Sequence, residues 1–207
     1  MSVFGEEYNE LGFKVLEASF SGSVFGKVFE IPSFLSVDEM SRIADLVSTE
    51  AIDSDVYPNV KLWENREYGD AFDKTKVLWD NWDTICRWTD DANLAHISGH
   101  SAFQYIDESP SYIRERLQSS PAHMREYEPH TDYGSKGLTI LVPIAPGVSE
   151  PTRFHGTKTG DTFPRQVRTI PWEINHAYMF RPSANHSWHS YIGGDNDRCV
   201  LNINFMN

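Results

Sequence analysis

The chain has 207 residues, of which 40% are hydrophobic and 13% aromatic, so it fits one ordered globular domain with a full core. Its formal net charge of −12 opposes the counterion release on which nucleic-acid-binding proteins rely, so no nucleic acid is expected as a ligand. No apolar run reaches the roughly 18 residues that span a bilayer, and residues 1–7 lack the pattern of a signal peptide, so we expect a soluble cytoplasmic protein that binds no membrane.

The N-terminal part of the chain predicts two strands and then a helix. Residues 12–16 and 24–31 carry short apolar or alternating stretches punctuated by Gly and Ser, which is typical of edge strands. Ser36 and Glu39 have the spacing of a capping box, and apolar residues follow at helical spacing. The pattern predicts a helix from about 37 to 49.

The next segment predicts a loop and two further helices. The stretch 50–69 is polar and shows no clear period, so we interpret it as a loop. Residues 71–90 place apolar side chains at roughly helical spacing and predict a second helix. Ser109-Pro110 is a helix start signal, so a third, short helix is predicted from Ser111 to Leu117.

The chain after residue 121 has the texture of an all-β region. Short strands separated by Gly, Pro, Asn and Asp are predicted at 122–128, 137–144, 152–156, 165–170, 176–181, 187–192 and 198–205. Seven short strands in under ninety residues indicate a sandwich or barrel, with the upstream helices bracing one face. The predicted fold is therefore mainly β with N-terminal helices (α+β). We expect a single domain over 1–207, in which 1–121 supplies strands and bracing helices and 122–207 supplies the core and the site.

Histidine and carboxylate are the ligands left for a metal, because the chain has two cysteines, Cys86 and Cys199. His130-Thr131-Asp132 follows a predicted strand. In extended chain, side chains two residues apart point to the same side, so His130 and Asp132 are suited to bind one metal ion.

His189 is the candidate third ligand, on a late strand of the same β region. Two histidines and one carboxylate make the facial triad of non-haem Fe(II) oxygenases, which leaves coordination positions open. His186 is a rival for this role. Positions three apart on a strand face opposite ways, so only one of the two can point at the metal.

Arg198 begins a strand in which apolar and polar residues alternate. Cys199, Leu201, Ile203 and Phe205 share one face, whereas Arg198, Val200, Asn202 and Asn204 share the other. A guanidinium that faces into a barrel is costly unless it is paired, and a small dicarboxylate would pair with it.

In order and spacing, His130, Asp132, His189 and Arg198 resemble the motif of the 2-oxoglutarate/Fe(II)-dependent dioxygenase superfamily, in particular its prolyl-hydroxylase-like branch. The resemblance covers roughly residues 122–206. It implies a double-stranded β-helix (jelly-roll or cupin-like) core, with iron held by the two histidines and Asp132. Arg198 would then hold the C5 carboxylate of 2-oxoglutarate.

The resemblance also implies the reaction. Such an enzyme consumes O2 and hydroxylates a C–H bond of a small molecule, an amino acid or a peptidyl residue, with release of succinate and CO2. Relatives that halogenate carry a small residue in place of the acid, so Asp132 favours hydroxylation. Many relatives have a Ser where this chain has Val200, so Asn202, Thr139 and Tyr127 are candidates for a further contact with the cosubstrate.

Two alternatives stay open on the sequence. One is a cupin-like metalloenzyme that does not use 2-oxoglutarate and has no need for Arg198. The other is a metal-free jelly-roll module that binds a ligand such as a sugar without catalysis. The identity of the substrate and the oligomeric state are not predicted.

Overall fold

A computed structural model describes residues 16–18, 28–47, 60–89, 109–122, 127–132, 134–155, 167–182 and 187–207. Within them, eleven strands form two antiparallel sheets. The strands are β1 (Leu16–Ala18), β2 (Val28–Ile31), β3 (Val60–Asn65), β4 (Tyr112–Ser120), β5 (Tyr127–His130), β6 (Lys136–Ala145), β7 (Thr152–His155), β8 (Val167–Ile170), β9 (Ala177–Phe180), β10 (His189–Tyr191) and β11 (Arg198–Met206).

The larger sheet has seven strands in the order β1-β2-β9-β6-β11-β4-β3, and the smaller has four in the order β5-β10-β7-β8. The predicted mainly β architecture is confirmed, and seven described strands, β5 to β11, follow residue 122 as expected. One detail was wrong: β2 is not an edge strand, because it pairs with both β1 and β9.

Helix α1 (Val37–Val47) begins at the predicted capping box. The backbone N–H of Ser36 donates to Glu39 Oε2 at 2.8 Å, and the N–H of Glu39 donates to Ser36 Oγ at 3.3 Å. Two N–H groups that the helix itself leaves without a partner are thereby satisfied.

The helix predicted over 71–90 is two short helices, α2 (Asp73–Asp80) and α3 (Trp82–Thr89), preceded by a 3₁₀ turn at Tyr68–Asp70. The break falls at Asn81, whose backbone leaves the helical region (φ −115°, ψ 34°). The Asn81 side-chain amide donates to Val77 O at 2.8 Å and so satisfies a carbonyl at the end of α2.

Two other predictions for the N-terminal part of the chain were wrong. The helix predicted from Ser111 to Leu117 is strand β4, in which Ile113, Glu115 and Leu117 alternate into the core. β4 pairs with β11 over nine residues, and this pairing replaces the local hydrogen bonds of a helix. The loop predicted over 50–69 contains β3, which pairs with the other edge of β4.

The helices brace one face of the larger sheet, as predicted. Phe205 on β11 lies 5.3 Å from Trp79 and 5.9 Å from Trp82 between ring centroids. The same apolar core includes Ile43 of α1 and Ile85 of α3. No helix among the described residues is long and apolar enough to cross a membrane.

Glu115 is a fully buried carboxyl group within this core. It accepts hydrogen bonds from the side-chain amide of Asn65 and from the backbone N–H of Phe72, each at 3.1 Å. Burial raises the pKa of Glu115, and these donors oppose that effect. The carboxyl group therefore ties β4 to β3 and to the start of α2.

Replacing Glu115 with Ala leaves the Phe72 N–H without its partner in the core, and leaves the Asn65 amide with Glu67 O as its remaining acceptor. We expect Glu115→Ala to lower the free energy of unfolding by about 2–4 kcal/mol in urea denaturation. Asp195→Ala, at an exposed turn, is the control and should change it by less than about 0.5 kcal/mol. Equal costs for the two variants would contradict the role assigned to Glu115.

Candidate metal centre

Two neighbouring strands of the smaller sheet bring the predicted histidines together. β10 pairs with β5 so that His189 lies directly opposite His130, with ring centroids 4.3 Å apart. Asp132 lies two residues beyond the end of β5. One potential ligand atom from each of the three side chains lies within 4.8 Å of the others. This is the geometry of a compact three-ligand site.

Hydrogen bonds to backbone carbonyls orient both imidazole rings. Nδ1 of His130 lies 3.0 Å from Glu128 O, and Nδ1 of His189 lies 2.9 Å from Ser187 O. A carbonyl oxygen only accepts, so each Nδ1 carries a proton, and in the neutral ring Nε2 then carries the lone pair. This is the tautomer that binds a metal ion through Nε2.

Asp132 is held as a carboxylate. Lys136 Nζ donates to Oδ1 at 2.6 Å, and the Thr139 hydroxyl donates to Oδ2 at 3.0 Å. Burial alone raises the pKa of this carboxyl, but His189, Lys136 and His130 outweigh it and lower the pKa to about 2. The group is ionised at neutral pH, as a metal ligand must be.

His189 lies in an apolar environment. The rings of Phe154 and Phe180 lie 5.7 and 5.2 Å from its centroid. Burial, assisted by the nearby His130, lowers the pKa of His189 to about 4, although Asp132 opposes the shift. Two imidazoles and an ionised carboxylate fit a divalent transition metal such as Fe(II).

Arg198 is buried, with 2% of its surface exposed. Its guanidinium donates to Thr152 Oγ1 at 2.6 Å and lies over the rings of Trp172 and Tyr191, 4.5 and 4.6 Å from their centroids. Burial lowers the pKa of Arg198 and the neighbouring Tyr178 raises it. Within the described part of the chain, no carboxylate pairs with Arg198, and its Nε has no hydrogen-bond partner.

One cavity of about 490 Å³ contains both groups. His130, Asp132 and His189 line it together with Arg198, and so does Asn202, a predicted contact. The polar face of β11 thus forms one wall of the cavity, as its alternation predicted.

Thr139 and Tyr127 were the other residues predicted to contact the cosubstrate. Thr139 contacts Asp132 and Asn204 instead of Arg198. The Tyr127 backbone pairs with Tyr191, and its side chain is outside the described part, as is all of His186.

The partners of Arg198 were missed from the sequence. Tyr191 had a signal, because it lies two residues after His189 on the same strand and so shares a face with it. Thr152, Trp172 and Tyr178 had none, because they come from distant segments; for Thr152, the pairing of β7 with β10 places it opposite Tyr191.

No protein-family model matches the sequence, and no curated protein matches it. Among solved structures, the chain is similar to a Pseudomonas putida prolyl-4-hydroxylase, with a TM-score of 0.53 and 11% identity over 89% of this chain and 94% of that one. It is also similar to a Trichoplax adhaerens prolyl hydroxylase in complex with a hypoxia inducible factor peptide fragment, with a TM-score of 0.54 and 12% identity over 86% and 83%. At these identities the likeness establishes a shared fold.

The depressed pKa of His189 predicts its titration in the chelator-treated, metal-free protein. We expect the ring to stay neutral from pH 7 down to near its pKa of about 4, as followed by ¹H–¹⁵N NMR of the imidazoles. The folded pKa lies below the unfolded value of 6.5, so this group lowers stability as the pH falls from about 6.5 towards 4. The same chain in denaturant is the control, and a native midpoint near 6.5 would contradict the assigned environment.

Proposed function

We propose that this chain is an Fe(II)- and 2-oxoglutarate-dependent oxygenase with a double-stranded β-helix core. The observation that carries the proposal is one cavity that holds a His-Asp-His triad and a buried arginine without a carboxylate partner among the described residues. The first feature supplies ligands for iron, and the second requires an anion. The fold shared with prolyl hydroxylases supports the same conclusion.

His130, Asp132 and His189 hold the iron in this proposal. Their arrangement is set before metal arrives, because backbone carbonyls accept from Nδ1 of both rings and Lys136 helps to keep Asp132 ionised. When bound, Fe(II) with 2-oxoglutarate supplies the activation of O2 that hydroxylates a C–H bond, with release of succinate and CO2.

Arg198 holds the C5 carboxylate of 2-oxoglutarate. The rings of Trp172 and Tyr191 fix the guanidinium plane, and Thr152 Oγ1 occupies one of its donors. The Tyr178 hydroxyl lies 2.5 Å from Thr152 Oγ1 and orients that hydroxyl in turn. A planar donor group held in this way suits a planar carboxylate.

The substrate is a small molecule, an amino acid or a peptidyl side chain, and the reaction is hydroxylation. The Trichoplax adhaerens structure contains a peptide, which supports the peptidyl alternative. We also propose that residues 1–207 form one domain. The larger sheet supports this, because β2 pairs with β9 and β4 pairs with β11, so strands from before and after residue 121 lie in one sheet.

The cupin-like alternative without 2-oxoglutarate accounts for the triad but leaves Arg198 unexplained. Burial of a cation costs several kcal/mol unless an anion offsets it, and a dicarboxylate cosubstrate supplies that anion. The metal-free binding module leaves the His-Asp-His triad unexplained.

His189→Ala should abolish tight Fe(II) binding, because it removes the most buried of the three ligands. Anaerobic titration of the apoprotein, with bound iron measured after gel filtration, checks this expectation. His176→Ala is the matched control, since His176 contacts Glu30 and Glu173 instead of the triad. One equivalent of iron retained by His189→Ala would move the third ligand to another residue, with His186 as the rival.

Arg198→Ala should keep one equivalent of iron and weaken 2-oxoglutarate binding about 10- to 1000-fold, because a charge-assisted double hydrogen bond is lost. The measurement is an anaerobic titration followed by the visible charge-transfer band of iron-chelated 2-oxoglutarate. Arg66→Ala, at an exposed cation that directly follows β3, is the control. Iron binding without this band in the unmodified chain would favour the cupin-like enzyme, and no iron binding would favour the binding module.

A further inference from the structure

The charge of the cavity is opposite to that of the chain. Five cationic side chains line it, whereas Asp132 is the one carboxylate among the described residues that does so. The cations are Lys61, Arg114, Arg116, Lys136 and Arg198. The chain as a whole has a net charge of −12, so this local excess of positive charge calls for an explanation.

Two of these cations, Arg114 and Arg116, lie on the face of β4 that points away from the apolar core. In the register of β4 with β11, Arg114 lies across from Asn204 and Arg116 across from Asn202. Because side chains on a strand alternate, Arg114 and Arg116 point to the cavity side while Glu115 points into the core. The two guanidinium groups are half-buried neighbours on one wall.

The carboxylates of the described residues offset only part of the positive charge of Arg114 and Arg116. Glu64 Oε2 accepts from Arg116 at 3.0 Å, but Glu64 also binds Arg66 at 2.6 Å and Lys61 at 3.3 Å. Arg114 makes no ion pair with any described carboxylate, and the Nε atoms of Arg114 and Arg116 are buried without hydrogen-bond partners. Unsatisfied buried donors of this kind cost free energy unless a ligand accepts from them.

This pair is separate from Arg198. Lys136, which binds Asp132, is close enough to Arg114 and Arg116 for both to lower its pKa, after the larger effect of burial. Arg198 instead contacts Tyr191 of β10, the strand that carries His189, and Thr152 of β7. The triad therefore has a cationic group on the β4 side that the cosubstrate contact does not use.

We propose that the substrate is an anion, and that Arg114 and Arg116 bind its carboxylate or phosphate group. This inference rests on the proposed function, because it places the substrate in the cavity of the iron site. A planar or tetrahedral oxyanion accepts from both guanidinium groups at once. The acid group then directs a C–H bond of the same molecule towards the triad.

The experiment measures anion binding to the complex with iron and 2-oxoglutarate under anaerobic conditions. The probes are malonate and inorganic phosphate, with malonamide as the neutral analogue, titrated by calorimetry. The charge-transfer band of chelated 2-oxoglutarate is recorded in the same samples, so displacement from Arg198 or from iron is detected separately.

We expect at least one of the two anions to bind and malonamide not to bind. Arg114→Gln and the double variant with Arg116→Gln should raise the dissociation constant about tenfold or more while the band is kept. Arg66→Gln, which removes another partner of Glu64 outside the lining of the cavity, should leave binding unchanged. Arg114→Lys keeps the charge but not the planar group, and should give an intermediate constant if Arg114→Gln does not fold.

The possible results distinguish failure of the anionic-substrate proposal from failure of the oxygenase proposal. A band without binding of either anion, or anion binding that survives in the double variant, overturns the anionic substrate and leaves the oxygenase in place. Absence of the band in the unmodified chain overturns the oxygenase. Binding of malonate alone indicates a carboxylic acid substrate, and binding of phosphate alone indicates a phosphorylated one.

Discussion

Strand β11 faces two environments, and the arrangement of the site depends on it. Leu201 and Ile203 pack into the apolar core below the helices, while Arg198 and Asn202 line the cavity. A shift of one residue in its register would place the guanidinium in the core and the leucine in the cavity, so the pairing is strongly specified. The nine-residue pairing with β4 then carries Arg114 to the same cavity.

The local parts of the site were predictable from the sequence because they follow from strand geometry. His130 and Asp132 are two residues apart in extended chain, and the two faces of β11 are visible as an alternation that Val200 interrupts. The surroundings of Arg198 were not predictable in this way. Thr152 and Trp172 come from distant segments, and only the pairing of β7 with β10 explains why the first meets the guanidinium.

The error in β4 has a definite physical origin. Ile113 and Leu117 are four apart, a spacing that places them on one face of a helix and also on one face of a strand. The residue that distinguishes the two patterns is Glu115, which is polar yet buried, so it obscured the alternation. Its burial makes sense only with the donors of Asn65 and Phe72, which no local pattern reveals.

The alternation of side chains that would have identified β3 as a strand was also obscured. The register of its pairing with β4 shifts between Lys61 and Trp63, so its side chains do not alternate regularly. The two misread strands supply Lys61, Arg114 and Arg116, which are the cations of one cavity wall. The part of the site that sequence analysis missed is therefore the part that bears on the substrate.

The proposed cosubstrate does not account for those cations. A divalent metal with Asp132, Lys136, Arg198 and the dianion of 2-oxoglutarate already carries a small excess of positive charge, so the cosubstrate leaves the cations of β3 and β4 without a counterion. Glu64 offsets part of the remaining charge, but its carboxylate is already shared by three cations, and the pKa of about 2 reflects that excess. The positive charge of Arg114 is thus left for a further anion, and the substrate is the component of the reaction still to be bound in this cavity.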